Sequence, residues 1–238
     1  MNNILEIKNL NKKIYKKEIL KNINLTLSEG KIMALLGPNG SGKTSLLKII
    51  ASLSHQNSGE ILINGEKPGL NTKKYVSFLS DMEILPTQLN IKQAINLYKS
   101  FFEDFDVEKS NKLLNDLNLD MNQEISTLSK GMKEKFYLIL CLSRNAKLYI
   151  LDEPIAGVDI LTREEILNII IENIHENAGV IITTHLIDDI EHIFDEIAFI
   201  NDGNIIGVHN AEDIRIKEKM TVSEFYKKVF RNGGNLDV

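Results

Sequence analysis

The stretch "LLGPNGSGKTSLLKII", Leu35–Ile50, decides how this chain folds. Within it, "GPNGSGKT" at Gly37–Thr44 fits the pattern G-x-x-x-x-G-K-[ST] of a phosphate-binding loop. The apolar run "KIMALLG" at 31–37 predicts a strand buried on both faces, and "SLLKIIASL" at 45–53 has helical spacing. An accidental glycine-rich turn is the alternative, but the strand before the loop and the helix after it favour phosphate binding.

The residues of this loop have distinct uses toward a nucleotide. Glycines allow a positive φ and a close approach of the backbone, so that several N–H groups converge on phosphate oxygens. The helix that begins near Lys43 adds the positive end of its dipole. The Lys43 ammonium would contact the β- and γ-phosphates, and the Thr44 hydroxyl would bind Mg²⁺. The residues expected to hold the nucleotide are Gly37, Pro38, Asn39, Gly40, Ser41, Gly42, Lys43, Thr44 and Ser45.

Composition places the chain among ordinary globular proteins. Its 238 residues are enough for one sizeable core, and 43% are hydrophobic and 26% charged. With 28 Lys and Arg against 33 Asp and Glu, the net charge of −5 argues against nucleic acid as a partner. The one cysteine, Cys141, lies in the apolar run "FYLILCL" and is expected to be a buried packing residue.

The sequence shows no targeting or membrane-spanning segment of its own. The start, "MNNILEIKNLNKK", lacks the charged and apolar regions of a secretory signal. The apolar runs "KFYLILCL" and "GVIITTHLI" are about half of the roughly 18 residues that a membrane-spanning helix needs. We therefore expect any membrane role to come through a partner.

Segments on both sides of the middle indicate a mostly parallel α/β sheet. Strands are predicted at 4–8, 23–27, 59–65, 147–154 and 179–185, the first two alternating and the last two fully apolar. The segment 162–177 is an amphipathic helix, with Thr162 expected as its N-cap ahead of Glu165. Residues 195–208 predict two short strands around a turn at Gly203.

The middle of the chain, about 82–145, shows three helical patterns and no convincing strand. We predict one domain over 1–238, in which 1–81 and 146–208 form the catalytic core and 82–145 a helical subdomain. Residues 209–238 form a C-terminal extension to which the sequence assigns no role. The predicted fold class is therefore α/β: a P-loop core with a mostly parallel sheet, an N-terminal antiparallel β subdomain and an inserted α-helical subdomain.

A second polar feature lies where the strand "LYILDEP" leaves the sheet. Ligand sites in open α/β sheets lie at the carboxyl ends of strands, so this end belongs beside the phosphate loop. Neighbouring residues on a strand point in opposite directions, so Asp152 and Glu153 should differ in role. Asp152 fits the surroundings of Mg²⁺, and Glu153 fits a base that polarises the attacking water. A solvated acidic turn is the alternative.

The segment "STLSKGMKEKF", followed by "LDEPIAGVD" and "TTH", separates this chain from other P-loop proteins. With the phosphate loop, these motifs resemble the ATP-binding subunits of ABC transporters, and the resemblance covers about residues 4–208. It implies ATP as the nucleotide. It also implies that Ser129 and Gly131 reach the γ-phosphate bound by the opposite subunit of a head-to-tail dimer. Ser129 stands just before a predicted helix, whose free N–H groups suit an anion.

The same resemblance implies further roles. His185 would hydrogen-bond the γ-phosphate and position the water with Glu153, and Asp159 would contact the partner subunit. Tyr15 is expected to stack on adenine, although alignment from "EILKNINL" places the family's aromatic at Ile14, one residue earlier. A glutamine that touches Mg²⁺ in many members corresponds to Asp81, which we expect near the metal.

Three features resemble a bacterial subgroup that includes exporters of peptides and amphipathic compounds: Asp81, "FFEDFD" at 101–106 and "LSKGM" in place of LSGGQ. The leading hypothesis is therefore an ATP-hydrolysing exporter subunit. Its partners would be a second copy or a homologous ATP-binding subunit, together with integral-membrane subunits at the cytoplasmic face of the membrane. The alternative is a soluble ABC-type ATPase that acts on ribosomes or DNA. A P-loop kinase or GTPase does not explain the signature segment or His185.

Overall fold

The computed structural model describes residues 2–80 and 85–231. Its strands are β1 (Asn3–Ile14), β2 (Lys17–Ser28), β3 (Ile32–Leu36), β4 (Ser58–Ile63), β5 (Val76–Leu79), β6 (Leu148–Asp152), β7 (Gly179–Thr183), β8 (Glu196–Asn201) and β9 (Asn204–Asn210). Its α-helices are α1 (Lys43–Ile50), α2 (Ile91–Phe101), α3 (Val107–Asp116), α4 (Lys130–Leu142), α5 (Ile160–Asn173), α6 (Ile187–Ile190), α7 (Ala211–Lys217) and α8 (Val222–Arg231). Short 3₁₀ turns lie at Thr72–Lys74, Ile125–Thr127 and Glu191–Ile193.

The large sheet has the strand order β5-β6-β7-β3-β8-β9 and is parallel except for the β8–β9 pair. The predicted hairpin around Gly203 is that antiparallel pair. Side chains of β3 alternate between two apolar clusters: Met33 and Leu35 belong to one, and Ala34 and Leu36 to the other. This burial on both faces explains why the run was continuously apolar. The predicted mostly parallel α/β sheet is confirmed.

A second, antiparallel sheet has the order β2-β1-β4 and packs with α1 on one face of the large sheet. Its strands β1 and β2 each span 12 residues, more than the predicted 4–8 and 23–27. Where they extend, residues 13–18 are all exposed, and Lys13 pairs with Glu18 across the hairpin at 2.8 Å. Because neither face of the hairpin is buried there, residues 13–18 show no alternation of apolar and polar side chains that would predict strands.

Helices α2, α3 and α4 lie between β5 and β6 in the chain, and no strand forms within the described residues 85–145. They pack on the other face of the large sheet. Cys141 is buried in this cluster, as predicted, beside the Ser77 hydroxyl. The division into a core and a helical subdomain stays a prediction.

The Arg144 side chain anchors these helices to the sheet. It is 3% exposed, its Nε donates to Asp104 Oδ1 at 2.6 Å, and its guanidinium lies 3.8 Å from the centre of the Phe102 ring. Its Nη2 donates to the carbonyls of Lys73 and Lys74, just before β5. One buried cation thus ties three segments of chain together.

The predicted N-cap at Thr162 is wrong. Helix α5 begins at Ile160, and Asp159 is its N-cap, because the Asp159 carboxylate accepts from the Thr162 backbone N–H at 3.1 Å. The Thr162 hydroxyl donates to the same carboxylate at 2.7 Å. A carboxylate at an N-cap also meets the positive end of the helix dipole, so Asp159 is the better cap.

The C-terminal extension contains α7 and α8. They pack against β8 and β9 through aromatic side chains, with the His209 and Phe225 ring centres 5.1 Å apart. Within residues 2–80 and 85–231, no helix combines the length and the apolar character that a membrane crossing requires.

Replacing Arg144 with Ala should lower the free energy of unfolding by about 3 kcal/mol, because the Asp104 carboxylate would be left without its buried partner. Chemical denaturation measures this. Lys112→Ala, at an exposed position of α3, should change the value by less than about 0.5 kcal/mol. Equal effects of the two substitutions would contradict the anchoring role.

Candidate nucleotide-binding site

The phosphate loop connects the end of β3 at Leu36 to the start of α1 at Lys43. Gly40 and Gly42 have left-handed φ values of 79° and 110°, which only glycine adopts without cost. Gly42 is the N-cap of α1, and no side chain caps the helix. The first N–H groups of α1 are therefore donors without an intrahelical partner, as an anion site requires.

Two glycines of the loop serve different purposes. A Cβ on Gly37 would lie 2.1 Å from the Ile200 carbonyl oxygen, so this glycine allows the loop to pass close to β8. A Cβ on Gly40 would meet nothing within 4 Å. The space beside Gly40 is thus open, and a phosphate has room there. The Ser41 hydroxyl is buried and has no hydrogen-bond partner among the described residues, which also suits a polar ligand.

Lys43 lies against the loop from which it projects. Its ammonium donates to the Gly37 carbonyl at 2.7 Å and to the Pro38 carbonyl at 3.2 Å. Burial lowers the pKa of Lys43, and the charges of Glu153 and Asp152 act in the opposite direction. The ammonium therefore shares the site with both carboxylates. Thr44 and Ser45, in the first turn of α1, are half-buried beside it.

The two acidic residues at the end of β6 have different surroundings. Asp152 is 6% exposed and accepts from the Thr183 hydroxyl of β7 at 2.5 Å. Glu153 is half-buried and has a left-handed φ of 54°, a strained conformation for a residue with a side chain. Its backbone N–H donates to the Thr183 carbonyl at 3.0 Å, which holds this conformation.

Glu153 and His185 form the closest pair of titratable side chains in the site. The Glu153 Oε2 lies 2.8 Å from His185 Nδ1 and accepts from the His185 backbone N–H at 3.2 Å. His185 is exposed, so its ring faces solvent on the far side from the carboxylate. A base and an imidazole held together beside a phosphate loop are equipped to orient and polarise a water molecule.

Ser129, Gly131 and Asp159 form a second group. Ser129 is exposed and caps α4, accepting from the Met132 N–H at 3.3 Å. A Cβ on Gly131 would lie 3.7 Å from the Gly157 carbonyl oxygen, so the start of α4 touches the segment that leads to Asp159. The side-chain bonds of Ser129 and Asp159 to the Met132 and Thr162 N–H groups lie within the first turns of α4 and α5.

Tyr15 lies in the turn of the β1–β2 hairpin and is 99% exposed. The neighbouring Ile14 is 46% exposed. The hairpin is close to the phosphate loop, since a Cβ on Gly42 would lie 2.7 Å from Leu20 Cδ2. The structure thus offers an open aromatic face on an element that touches the loop.

The donor set fits Mg²⁺ as well as the phosphates. Within the described residues, no group of three or more His, Cys, Asp or Glu is arranged to hold a metal ion by itself. Mg²⁺ does not need such a cage, because it is held by one or two carboxylates, substrate phosphates and waters. The Asp152 carboxylate and the Thr44 hydroxyl are oxygen donors of that kind. Asp81, expected near the metal, lies outside the described residues.

Sequence reasoning missed Thr183. Its hydroxyl donates to Asp152, its carbonyl accepts from Glu153, and its side chain is fully buried. The signal in the sequence is a hydroxyl residue at the end of an otherwise apolar strand, within the "TTH" that also contains His185.

Comparisons with known proteins agree with this geometry. A family model described as ABC transporter matches residues 20–156. The chain is 30% identical over 219 residues to the ABC transporter ATP-binding protein YtrB of Bacillus subtilis, covering 89% of this chain and 74% of YtrB. It is 31% identical over 235 residues to the lantibiotic transport ATP-binding protein SrtF of Streptococcus pyogenes, covering 89% and 95%.

Solved structures share the fold. An ATP-binding subunit of an ABC transporter superposes with a TM-score of 0.85 at 24% identity, covering 95% of this chain and 99% of that one. The ATP-binding cassette MJ0796, in a dimeric post-hydrolysis state with ADP and Pi, superposes with a TM-score of 0.77 at 22% identity, covering 87% and 98%. The predicted fold class is confirmed by these likenesses.

Gly40→Ala should weaken ATP binding by at least about tenfold, because the new Cβ occupies the open side of the loop. Isothermal titration measures the affinity. Gly65→Ala is the matched control, since Gly65 has a φ of 78° and an equally open surrounding away from the loop. Both substitutions should cost about 1 kcal/mol of backbone strain, and only the first should affect ATP. Unchanged affinity for Gly40→Ala would contradict the site.

Proposed function

The chain belongs to the ABC transporter family and is an ATPase of that family, and from this premise we propose that it is the ATP-hydrolysing subunit of a bacterial transporter. The observation that carries the proposal is the contact between Glu153 and His185 at the ends of β6 and β7. This contact lies at the same sheet edge as the phosphate loop, because β3, β7 and β6 are parallel neighbours. Phosphate binding and water activation are thereby brought together.

We infer the following roles for the site residues. Lys43 and the N–H groups of the loop bind the phosphates of ATP and stabilise the charge that develops on them. Glu153 takes up or polarises the proton of the attacking water, and His185 orients that water by its contact with Glu153. Thr44 and Asp152 would hold Mg²⁺, with Asp81 as a further proposed ligand, and the ion would neutralise charge on the phosphate oxygens. Catalysis then consists mainly of positioning and charge stabilisation.

Tyr15 is proposed to stack on the adenine base. Its exposed ring and its place on a hairpin that touches Gly42 support this role. Stacking of an aromatic side chain on a base contributes about 1–3 kcal/mol. The exposed Ile14 is the alternative contact at this position of the hairpin.

We propose that two copies of the chain, or this chain and a homologous ATP-binding subunit, close head to tail on two ATP molecules. Ser129 is exposed at the N-terminus of α4, a helix of 13 residues, and Gly131 is in its first turn. That N-terminus suits the γ-phosphate of the partner's ATP. Asp159 lies next to it, through the contact of Gly131 with Gly157, and would meet the partner subunit. Because each site needs both chains, turnover requires assembly.

A groove between the large sheet and the helices supports docking of a membrane subunit. Its volume is about 520 Å³, and it is largely apolar, lined by Leu53, Val76, Phe78, Leu79, Tyr98 and Phe102. Leu53, which lines this groove, is 59% exposed. We propose that a cytoplasmic helix of the membrane subunit occupies it. Strand β5 forms one wall, and Asp81 follows its last residue by two positions in the sequence. We propose that movement of the docked helix changes the ATP site through Asp81.

Export of peptides or amphipathic compounds is the proposed task. SrtF is named for lantibiotic transport, and another relative, SkfE of Bacillus subtilis, is named for export of the SkfA peptide; it is 26% identical over 96% of both chains. The chain would then be a peripheral protein at the cytoplasmic face of the membrane. The net charge of −5 gives a nucleic-acid partner no support.

Glu153→Gln should abolish ATP hydrolysis and leave ATP binding intact, because the amide cannot accept a proton from water. ATP should then hold the chain as a closed dimer, seen by light scattering and by a phosphate-release assay. Glu172→Gln, at an exposed position of α5, should hydrolyse ATP normally. Normal hydrolysis by Glu153→Gln would refute its role as the base.

Leu53→Asp should prevent co-purification of this chain with the proposed membrane subunit, without changing the ATPase rate of the isolated chain. Leu70→Asp is the matched control, since Leu70 is 84% exposed and lies outside the groove. If the Leu53→Asp variant still co-purified with the membrane subunit, the proposal that this groove is the docking site would be contradicted. Sedimentation of the wild-type chain with ribosomes in place of a membrane protein would favour the soluble alternative.

A further inference from the structure

Glu134 in α4 lies directly against Gly157, in the segment between Glu153 and Asp159. A Cβ on Gly157 would lie 1.8 Å from Glu134 Oε1 and 2.1 Å from Oε2, so only glycine admits the carboxyl group here. The Gly157 backbone N–H faces this carboxyl group and favours its charged form. The two residues are 23 positions apart in the sequence. Their contact is therefore a specific tertiary one.

The carboxyl group of Glu134 is poorly solvated for an acid near the surface. Its Oε2 is buried and has no hydrogen-bond partner among the described residues. Burial raises the pKa of Glu134, while the charge of Lys130 and the nearby N–H of Gly157 oppose that shift. The Lys130 ammonium lies 3.9 Å from Glu134 Oε1, and the Lys130 side chain is largely exposed. A half-satisfied carboxyl group costs stability, so its position calls for a functional reason.

The contact joins two segments that have separate tasks in the proposed dimer. Ser129 and Gly131 stand at the start of the helix that carries Glu134, and Asp159 follows Gly157 by two residues. Around the same point, a Cβ on Gly131 would lie 3.7 Å from the Gly157 carbonyl oxygen and 3.8 Å from Val158 Cγ1. Glu134 adds a side-chain contact with Gly157 to these backbone and van der Waals contacts.

We propose that Glu134 is a positioning residue that holds the Gly157–Asp159 segment against the start of α4, so that Ser129 and Asp159 enter the partner's ATP site as one unit. This rests on the proposed head-to-tail dimer. Glu134 itself does not touch ATP in this account. It acts through the N–H of Gly157, on the residues that follow Glu153 in the same chain. Loss of the contact should misplace both segments relative to the partner while each phosphate loop stays intact.

Glu134→Ala should lower the maximal ATPase rate on the order of tenfold, which is within what a misplacement of about 1 Å costs. ATP affinity of the monomer should stay unchanged, and the unfolding temperature should not fall. Glu134→Gln keeps an acceptor oxygen for the Gly157 N–H and should retain a rate within about twofold of the wild type. A full rate for Glu134→Ala, or an equal loss for Glu134→Gln, would overturn the proposal.

Gly157→Ala tests the contact from its other side. The new Cβ meets only the end of a flexible side chain, so the carboxyl group should move away and the backbone should stay in place. The rate should fall as in Glu134→Ala, and the double variant should be no worse than either single one. Losses that multiply to about a hundredfold would show that the two residues act independently, and would overturn the proposal.

Dimer formation separates this inference from the function on which it rests. In the Glu153→Gln background, ATP should produce a dimer, and adding Glu134→Ala should raise its dissociation constant about tenfold with unchanged ATP binding by the monomer. An equally tight dimer with and without Glu134→Ala would overturn the role of Glu134 alone. If Glu153→Gln itself formed no dimer with ATP, the result would contradict the proposed function. It would then also overturn the role of Glu134, which rests on that function.

Discussion

Parallel pairing of β6, β7 and β3 places three strand ends at one edge of the large sheet, and the whole site depends on that alignment. Strand β3 runs into the phosphate loop, β6 ends at Asp152, and β7 ends two residues before His185. None of these three strand ends forms the site by itself. Because the strands are hydrogen-bonded in register, the loop, the acids and the histidine are held at fixed separations by the most buried part of the molecule.

Thr183 links the alignment of the strands to the positions of the two acidic residues. Its hydroxyl fixes Asp152 and its carbonyl fixes the backbone of Glu153, whose left-handed φ turns the chain out of the sheet. The turn gives the two neighbouring carboxylates different surroundings, one buried and one facing His185. From Glu153 the chain continues through Gly157 to Asp159, so the residue proposed as base is linked within six positions to the segment proposed to face the partner. The proposed base and the proposed dimer contact thus lie on one short stretch of chain.

Much of this could be predicted from the sequence because the signals were local. About ten consecutive residues are enough to recognise the phosphate loop, each buried strand and the acidic strand end, from apolar runs and turn residues. The outer half of the β1–β2 hairpin carried no such signal, since residues 13–18 are exposed on both faces. A hydroxyl residue ahead of the apolar pattern predicts Thr162 as the N-cap of α5. In the structure, the Asp159 carboxylate accepts hydrogen bonds from both the N–H and the hydroxyl of Thr162. The contact of Glu134 with Gly157 depends on tertiary packing and had no local signature.

The central claim is that Ser129 of one chain completes the ATP site of another. Cysteine cross-linking tests it most directly, with Asn39→Cys in the exposed part of the phosphate loop and Ser129→Cys at the start of α4. The native Cys141 is buried, so it does not interfere. With a short thiol-reactive cross-linker, the double variant should form covalent dimers when ATP is present and few without it, and neither single variant should do so between these positions. A double variant that stays monomeric in ATP, with both thiols reactive, would contradict the account.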